Sequence, residues 1–450
     1  MKKTYIGVVA VFVIVIVLLS GLLLTGYNFS PKPKTPTAYV GIAYCGDNVA
    51  QGKQLIDKVK GYTNLFVLQS GLLQRDLASV NELGDYAVAA GMYFLPYFGV
   101  LIQESFSVWL ESAKAKWGDH LLGVYYGDEP GGKMLDDYVE YEDVATGDSI
   151  TKTKYGDIVV KKPDGIVINY QLDGNILLSE PAPANSGSDI NSEALFYANG
   201  TVKVIRSVPN GFSYQTYQQL QNIRPFKDID ETAQRFCARD KDNIEFLKNL
   251  TKVFTSDYGL YWFDYLAGYD VVLGQLGWNL SVTQQLSLMR GAANTQQKDW
   301  GVFITWKYQT PPYLDNGTEI FNQLKTSYEC GAKYFVSFNY YDSEAGTYGT
   351  MQDEHFQALN LFWHDVVENS QVTQGSLKAE FAVVFPKNYG WGTRWAEDKV
   401  WGIFKADEET QRIWELMQAT LKEHGLKVDI VFSDSEFPAA TRYQNIYSIE

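Results

Sequence analysis

From residue 38 onward the chain alternates short apolar runs with segments whose apolar positions recur at helical spacing. The runs at 39–44, 64–69, 93–98 and 122–126 read as strands, and 49–60, 75–90 and 104–117 read as helices between them. Strand, helix and strand at this spacing predict parallel pairing through helical crossovers. Four further runs, at 260–263, 271–276, 302–306 and 334–338, continue the pattern, with helices at 282–293 and 319–330. Eight such strands predict a TIM-type (β/α)8 barrel. One join fits badly. The run at 260–263 and the next are separated by 264–270 alone, against the dozen or so residues a parallel crossover needs. Either that crossover is degenerate or one of the two runs is not a barrel strand.

Residues 133–240 interrupt the alternation, dividing the barrel into halves at 39–132 and 241–372. Two β-rich units stand out there. One spans 157–170 and turns at Pro163-Asp164-Gly165, the other spans 194–205 and turns at Asn199-Gly200. Helices are expected around 214–221 and 228–250. An insertion leaving the fourth strand end should overhang the barrel mouth, either as a lid or as an inert decoration. After residue 372 a strand at 379–385, a helix at 408–424 and a strand at 427–432 predict the start of a flavodoxin-like α/β domain over 376–450. Two strands make that domain look truncated.

The N-terminal pattern is different. Lys2 and Lys3 precede an uncharged, apolar run over residues 5–26, close to the ~20 residues that cross a bilayer. A cleaved signal peptide is the competing reading, but Thr25-Gly26-Tyr27 is a poor small-x-small site. A signal anchor puts residues 1–4 in the cytoplasm and the bulk of the chain outside the cell membrane. A Pro-rich linker, 27–38, would hold the rest off the surface. Asn-x-Ser/Thr sequons at Asn28, Asn199, Asn249, Asn279 and Asn316 fit a glycosylated, extracellular exterior.

Composition narrows the partners. A net charge of −15 leaves nothing to neutralise phosphates, so nucleic acid is not an expected partner. Three cysteines and four scattered histidines lack the paired spacing of a metal site. No metal and no cofactor is expected. The aromatic share of 15% is high; core packing must account for most of it, and flat rings can also stack on sugar faces.

The candidate chemistry sits where the fourth strand stops. Tyr125-Tyr126-Gly127-Asp128-Glu129-Pro130 ends an apolar run with two adjacent carboxylates, and Pro130 cannot continue the ladder. Carboxylates at the C-terminal end of a barrel strand sit where such folds keep their active sites. Other expected strand ends bring Gln69, Ser70, Tyr97, Asp264, Tyr265, Gln275, Trp306, Lys307, Asn339 and Tyr340 to the same mouth. Paired carboxylates with aromatics and amides suit cleavage of glycosidic bonds. Glu129 is then the general acid, Asp264 or Asp128 the second carboxylate. Tyr126, Trp262, Tyr265, Gln275, Trp306, Asn339 and Tyr340 are candidate substrate contacts.

The Gly-x-Tyr-Tyr-x-Asp-Glu-Pro stretch at a fourth strand resembles glycoside-hydrolase-type (β/α)8 barrels. The runs at 300–308 and 331–340 resemble their seventh and eighth strands, and a flavodoxin-like domain after the barrel is similar to the arrangement in β-galactosidase-like enzymes. The resemblance implies a glycoside hydrolase, or a surface glycan-binding or envelope protein that keeps such a barrel. It has a departure. The large retaining clan carries Asn-Glu after the fourth strand and a nucleophilic Glu after the seventh, whereas this chain has Asp128-Glu129 and Trp306-Lys307. Only Glu129 carries over.

Overall fold

The computed structural model describes residues 36–448, apart from 100, 102, 137, 144–146, 154–156, 172, 182–189, 200, 206–227, 342–345 and 370. The expected anchor at 5–26 and the helix at 214–221 lie outside the described residues. Among the described residues, no helix is long and apolar enough to cross a membrane.

The first half of the barrel runs β1 (Tyr39–Tyr44), α1 (Val49–Val59), β2 (Leu65–Leu68), α2 (Leu77–Ala89), β3 (Tyr93–Phe98), α3 (Gln103–Trp117) and β4 (Val124–Tyr126). Local chemistry sets the helix starts. Asn48 caps α1 by accepting from the amides of Ala50 and Gln51, and Asp76 caps α2 in the same way. A short helix, α4 (Pro130–Asp136), follows β4 directly.

The insertion is one antiparallel meander. It consists of β5 (Tyr138–Asp143), β6 (Asp148–Thr153), β7 (Ile158–Lys161), β8 (Val167–Tyr170), β9 (Ile176–Pro181), β10 (Ile190–Phe196) and β11 (Val202–Val204), each strand paired with the next. Both turns expected from Pro-Asp-Gly and Asn-Gly are hairpin turns, between β7 and β8 and between β10 and β11. The sheet has its own apolar cluster, including Ile158, Ile168, Tyr170 and Leu178. Helices α5 (Ile229–Ala238) and α6 (Lys241–Lys248) lead back to the barrel.

The second half holds β12 (Val253–Asp257), α7 (Tyr261–Ala267), β13 (Val271–Leu276), α8 (Val282–Thr295), β14 (Asp299–Ile304), α9 (Gly317–Glu329), β15 (Tyr334–Asn339) and α10 (Asp353–Phe362). The eight parallel strands close in the order β1-β15-β14-β13-β12-β4-β3-β2. One expectation is corrected. The fifth strand is Val253–Asp257, and the run at 260–263 opens helix α7. This resolves the short join, because the crossover from β12 to β13 includes all of α7.

Alternation along each strand sorts side chains between two cores. Tyr39, Leu65, Val67, Tyr125, Phe254, Leu273, Phe303, Tyr334 and Val336 fill the barrel. Tyr39 stacks on Tyr334 with ring centres 5.0 Å apart, and Phe254 meets Tyr334 edge-on at 5.1 Å. Aromatic rings thus help fill the barrel interior.

The C-terminal region has β16 (Phe381–Phe385), α11 (Glu408–His424), β17 (Val428–Phe432) and a third strand the pattern did not suggest, β18 (Asn445–Ser448). All three are parallel, in the order β17-β16-β18. The sheet docks on the outer helices of the barrel. Arg290 of α8, 1% exposed, pairs with Asp429 at 2.7 Å and donates to the carbonyls of Leu377, Leu426 and Val428. Tyr443 donates to the other oxygen of Asp429 at 2.7 Å. The segment before α11 reaches α4, where Arg394 bridges Asp136 and Asp398.

Candidate active site

Glu129 stands at the C-terminal end of β4 as the residue from which α4 starts. Its amide donates to the Ser256 carbonyl at 2.9 Å, and its carbonyl accepts from Lys133 at 2.9 Å. Its backbone is left-handed, φ 54°, a conformation non-glycine residues avoid and one that is concentrated at functional sites. The side chain turns toward β13, where Gln275 Nε2 donates to Oε1 at 2.6 Å. Burial, then the neighbouring Asp128 charge, push the carboxyl from 4.5 up to about 7; the Gln275 bond opposes both.

Asp128 lies in a different setting. Its Oδ1 collects the Tyr125 hydroxyl, the Ser256 hydroxyl at 3.1 Å and Gln69 Nε2 at 3.3 Å. Its carbonyl takes the Lys133 ammonium at 2.6 Å. Burial and the Asp128 charge raise the Tyr125 phenol well above its ordinary value, so it remains a proton donor to Asp128. Tyr97 from β3 packs edge-on against Tyr125 at 5.1 Å, and its own phenol is pushed up to about 12 by burial, Asp128 and Glu129. Two adjacent carboxyls therefore differ sharply. Both are half-buried, but one meets a single amide and the other is held by three donors. That is the contrast by which paired carboxylates divide acid and base roles.

The other expected site residues separate into those at the mouth and those away from it. Gln275 is at the site, and its Oε1 is a buried acceptor with no donor. Trp306, half-buried, packs against Tyr313 at 5.3 Å and Phe338 at 5.1 Å, with the exposed Tyr340 ring at 5.8 Å. Exposed Trp278 joins this rim, its amide bonded to the Trp306 carbonyl at 2.6 Å. Lys307, just after β14, is paired with Asp315 at 3.4 Å.

Five expectations are corrected. Asp264 is fully buried on α7, not at a strand end, because the strand assigned to it is a helix. Tyr265 lies on the same helix and donates to the Asp299 carbonyl at 2.9 Å. Trp262 is buried against Phe432 and Phe437 of the C-terminal region. Tyr126 points outward, since Tyr125 points in, and accepts from Asn243 of α6 at 3.0 Å. Asn339 is buried and spent on its own loop, donating to the Tyr348 carbonyl and accepting from the Met351 amide.

Sequence reading missed Ser256 and Asp257, both consequences of the misplaced fifth strand. The signal was present in Val253-Phe254-Thr255-Ser256-Asp257, a β-prone run ending in polar residues before Tyr-Gly. Among the described residues no three His, Cys, Asp or Glu side chains come together as a metal site.

The fold and this site define a TIM-type (β/α)8 barrel with two adjacent carboxyls and a ring of strand-end polar groups at its mouth. No protein-family model matches the chain, and no curated protein is similar to it. Solved glycoside hydrolases are similar to it in structure. A psychrophilic glycoside hydrolase family 10 endo-β-1,4-xylanase aligns over 72% of this chain and 96% of its own at 9% identity, with a TM-score of 0.34. The β-glycosidase BGL167 aligns over 70% of this chain and 86% of its own at 11% identity, with a TM-score of 0.35. Likeness at that level says nothing of chemistry, and the barrel rests on its own strand order.

Proposed function

We propose that this chain is a glycoside hydrolase acting on a polysaccharide or glycan, with Glu129 as general acid and Asp128 as the second carboxylate. The observation that carries the reading is the Glu129 carboxyl, raised to about 7 beside a carboxylate that holds three donors. A carboxyl half-protonated near neutrality can give its proton to a leaving glycosidic oxygen. The neighbouring charge would favour an oxocarbenium-like transition state. The Trp278, Trp306 and Tyr340 rings supply stacking faces.

A second reading is a glycan-binding surface protein without catalysis. It is favoured by Lys307, which stands after the seventh strand where the resemblance would put a nucleophilic Glu, and which is paired with Asp315. We further propose that the chain is held at the cell membrane by residues 5–26 with its bulk outside. Lys2, Lys3 and the apolar run support this, as does the exposure of Asn199, Asn249, Asn279 and Asn316. On the same footing, the three parallel C-terminal strands are proposed as part of a flavodoxin-like domain.

The test is a screen of the protein against polysaccharides and glycans, run beside Glu129→Gln and Asp128→Asn. Hydrolysis lost by a hundredfold or more (order of magnitude) in Glu129→Gln supports the assignment. Activity that survives it sinks the catalytic reading. Binding without turnover, unchanged by that substitution, selects the second.

A further inference from the structure

Behind the mouth lies a second pair of carboxyls that the proposed reaction does not use directly. Asp257 closes β12 and is fully buried. It accepts from four backbone amides: Gly131 and Gly132 in the first turn of α4, at 2.5 and 2.8 Å, and Tyr258 and Gly259, at 2.7 and 3.2 Å. The first two belong to the turn that begins immediately after Glu129. Asp257 and the Ser256 carbonyl together therefore hold β4's end onto β12, one through Gly131 and Gly132, the other through the Glu129 amide.

Asp264, on α7, lies within reach of the Asp257 charge. It is fully buried, and neither of its oxygens meets an N–H or O–H donor. A buried carboxylate without donors, set against another carboxylate, is untenable. A proton on Asp264 would give it a donor to offer Asp257. The surroundings agree. Burial and the Asp257 charge both raise Asp264, with only Arg239 acting against them; the phenols of Tyr261, Tyr265 and Tyr269 and the Cys237 thiol are its other titratable neighbours, all raised. Glu129 is faced by Asp128, Asp257, Lys133 and the phenols of Tyr97, Tyr125 and Tyr258.

We propose that Asp264 and Asp257 form a carboxyl–carboxylate pair holding one proton, and that Asp257 is the positioning residue for Glu129. The pair carries one negative charge rather than two. That charge clamps the start of α4 and keeps Glu129 protonated further up the pH scale. The positioning role rests on the reading of Glu129 as the acid; the shared proton does not.

The experiment needs no substrate. Infrared spectra of the full chain follow protonated carboxyl stretches against pH, with Glu129→Gln and Asp264→Asn assigning the bands. Above the range in which ordinary carboxyls ionise, wild type should show a band with a midpoint near that of Glu129, about 7, beside one for the second proton of the pair at about 6, and one that persists well above both. The persistent band should vanish in Asp264→Asn, whose amide still donates to Asp257 and leaves the Glu129 midpoint in place. Asp257→Asn should move that midpoint downward, toward the ordinary carboxylate range. Absence of a persistent band in wild type overturns the pair, and this needs no variant to fold. An unmoved Glu129 midpoint in folded Asp257→Asn overturns the positioning role. A protein with these bands and no glycosidase activity would refute the proposed function while leaving the pair intact.

Discussion

Gln275 and Glu129 are 146 positions apart, yet the Gln275 amide donates to the Glu129 carboxyl at 2.6 Å across the barrel mouth. The bond joins the ends of β13 and β4, which flank β12. It favours the ionised carboxyl, against burial and Asp128, and so tunes the group on which the proposed chemistry depends. Gln275→Leu should therefore push the Glu129 titration above its present midpoint of about 7. Carboxyl-detected NMR of the variant reads this directly, and a downward shift contradicts it.

Glu129 also links stability to pH. Its carboxyl is raised in the folded state, from 4.5 to about 7. The stabilisation is thus full below 4.5 and is lost as pH rises through 7. Glu129→Gln removes that loss. Relative to wild type, the variant should gain up to roughly 3 kcal/mol at pH 8 compared with pH 4. Urea unfolding at the two pH values measures it; an equal difference at both refutes it.

The buried Arg290–Asp429 pair joins barrel to C-terminal sheet. Arg290→Met leaves Asp429 charged and short of its partner, at a cost of about 3–5 kcal/mol. Arg290→Met with Asp429→Leu should recover much of that loss. Denaturant midpoints for the single and double variants decide the matter.

Gly291 stands beside it on α8. A Cβ there would meet the Ile430 carbonyl oxygen at 2.3 Å, which is backbone of β17 and cannot rotate away. Alanine improves helix propensity by about 1 kcal/mol, but overpacking of this kind costs about 1–3 kcal/mol. Gly291→Ala should lower the melting temperature despite the better helix former.

Trp306 tests the sugar-facing rim. On the proposed function, Trp306→Ala should raise KM for an oligosaccharide roughly threefold to tenfold, as loss of a stacking ring predicts. Stability should change little, because the ring is half-exposed. An unaltered KM places the substrate elsewhere.

The barrel was legible because its strands are buried on both faces and so read as continuous apolar runs, separated by helices of the right length. Asp128 and Glu129 were legible for a related reason: two charges after such a run must mark where burial ends. The fifth strand was not, because Val253–Asp257 is short and ends in polar residues while Tyr261–Ala267 is short and mostly apolar, and neither a period of 2 nor one of 3.6 can be read from so few residues. That one error carried Asp264, Tyr265 and Trp262 to the mouth and hid Ser256 and Asp257. The sequence by itself determined the alternation of strands and helices and the place where the fourth strand gives out to two carboxylates. Only the tertiary structure decided which carboxyl meets one amide and which is held by three donors, because Gln69, Ser256 and Gln275 come from strand ends far apart along the chain and meet only when the barrel closes.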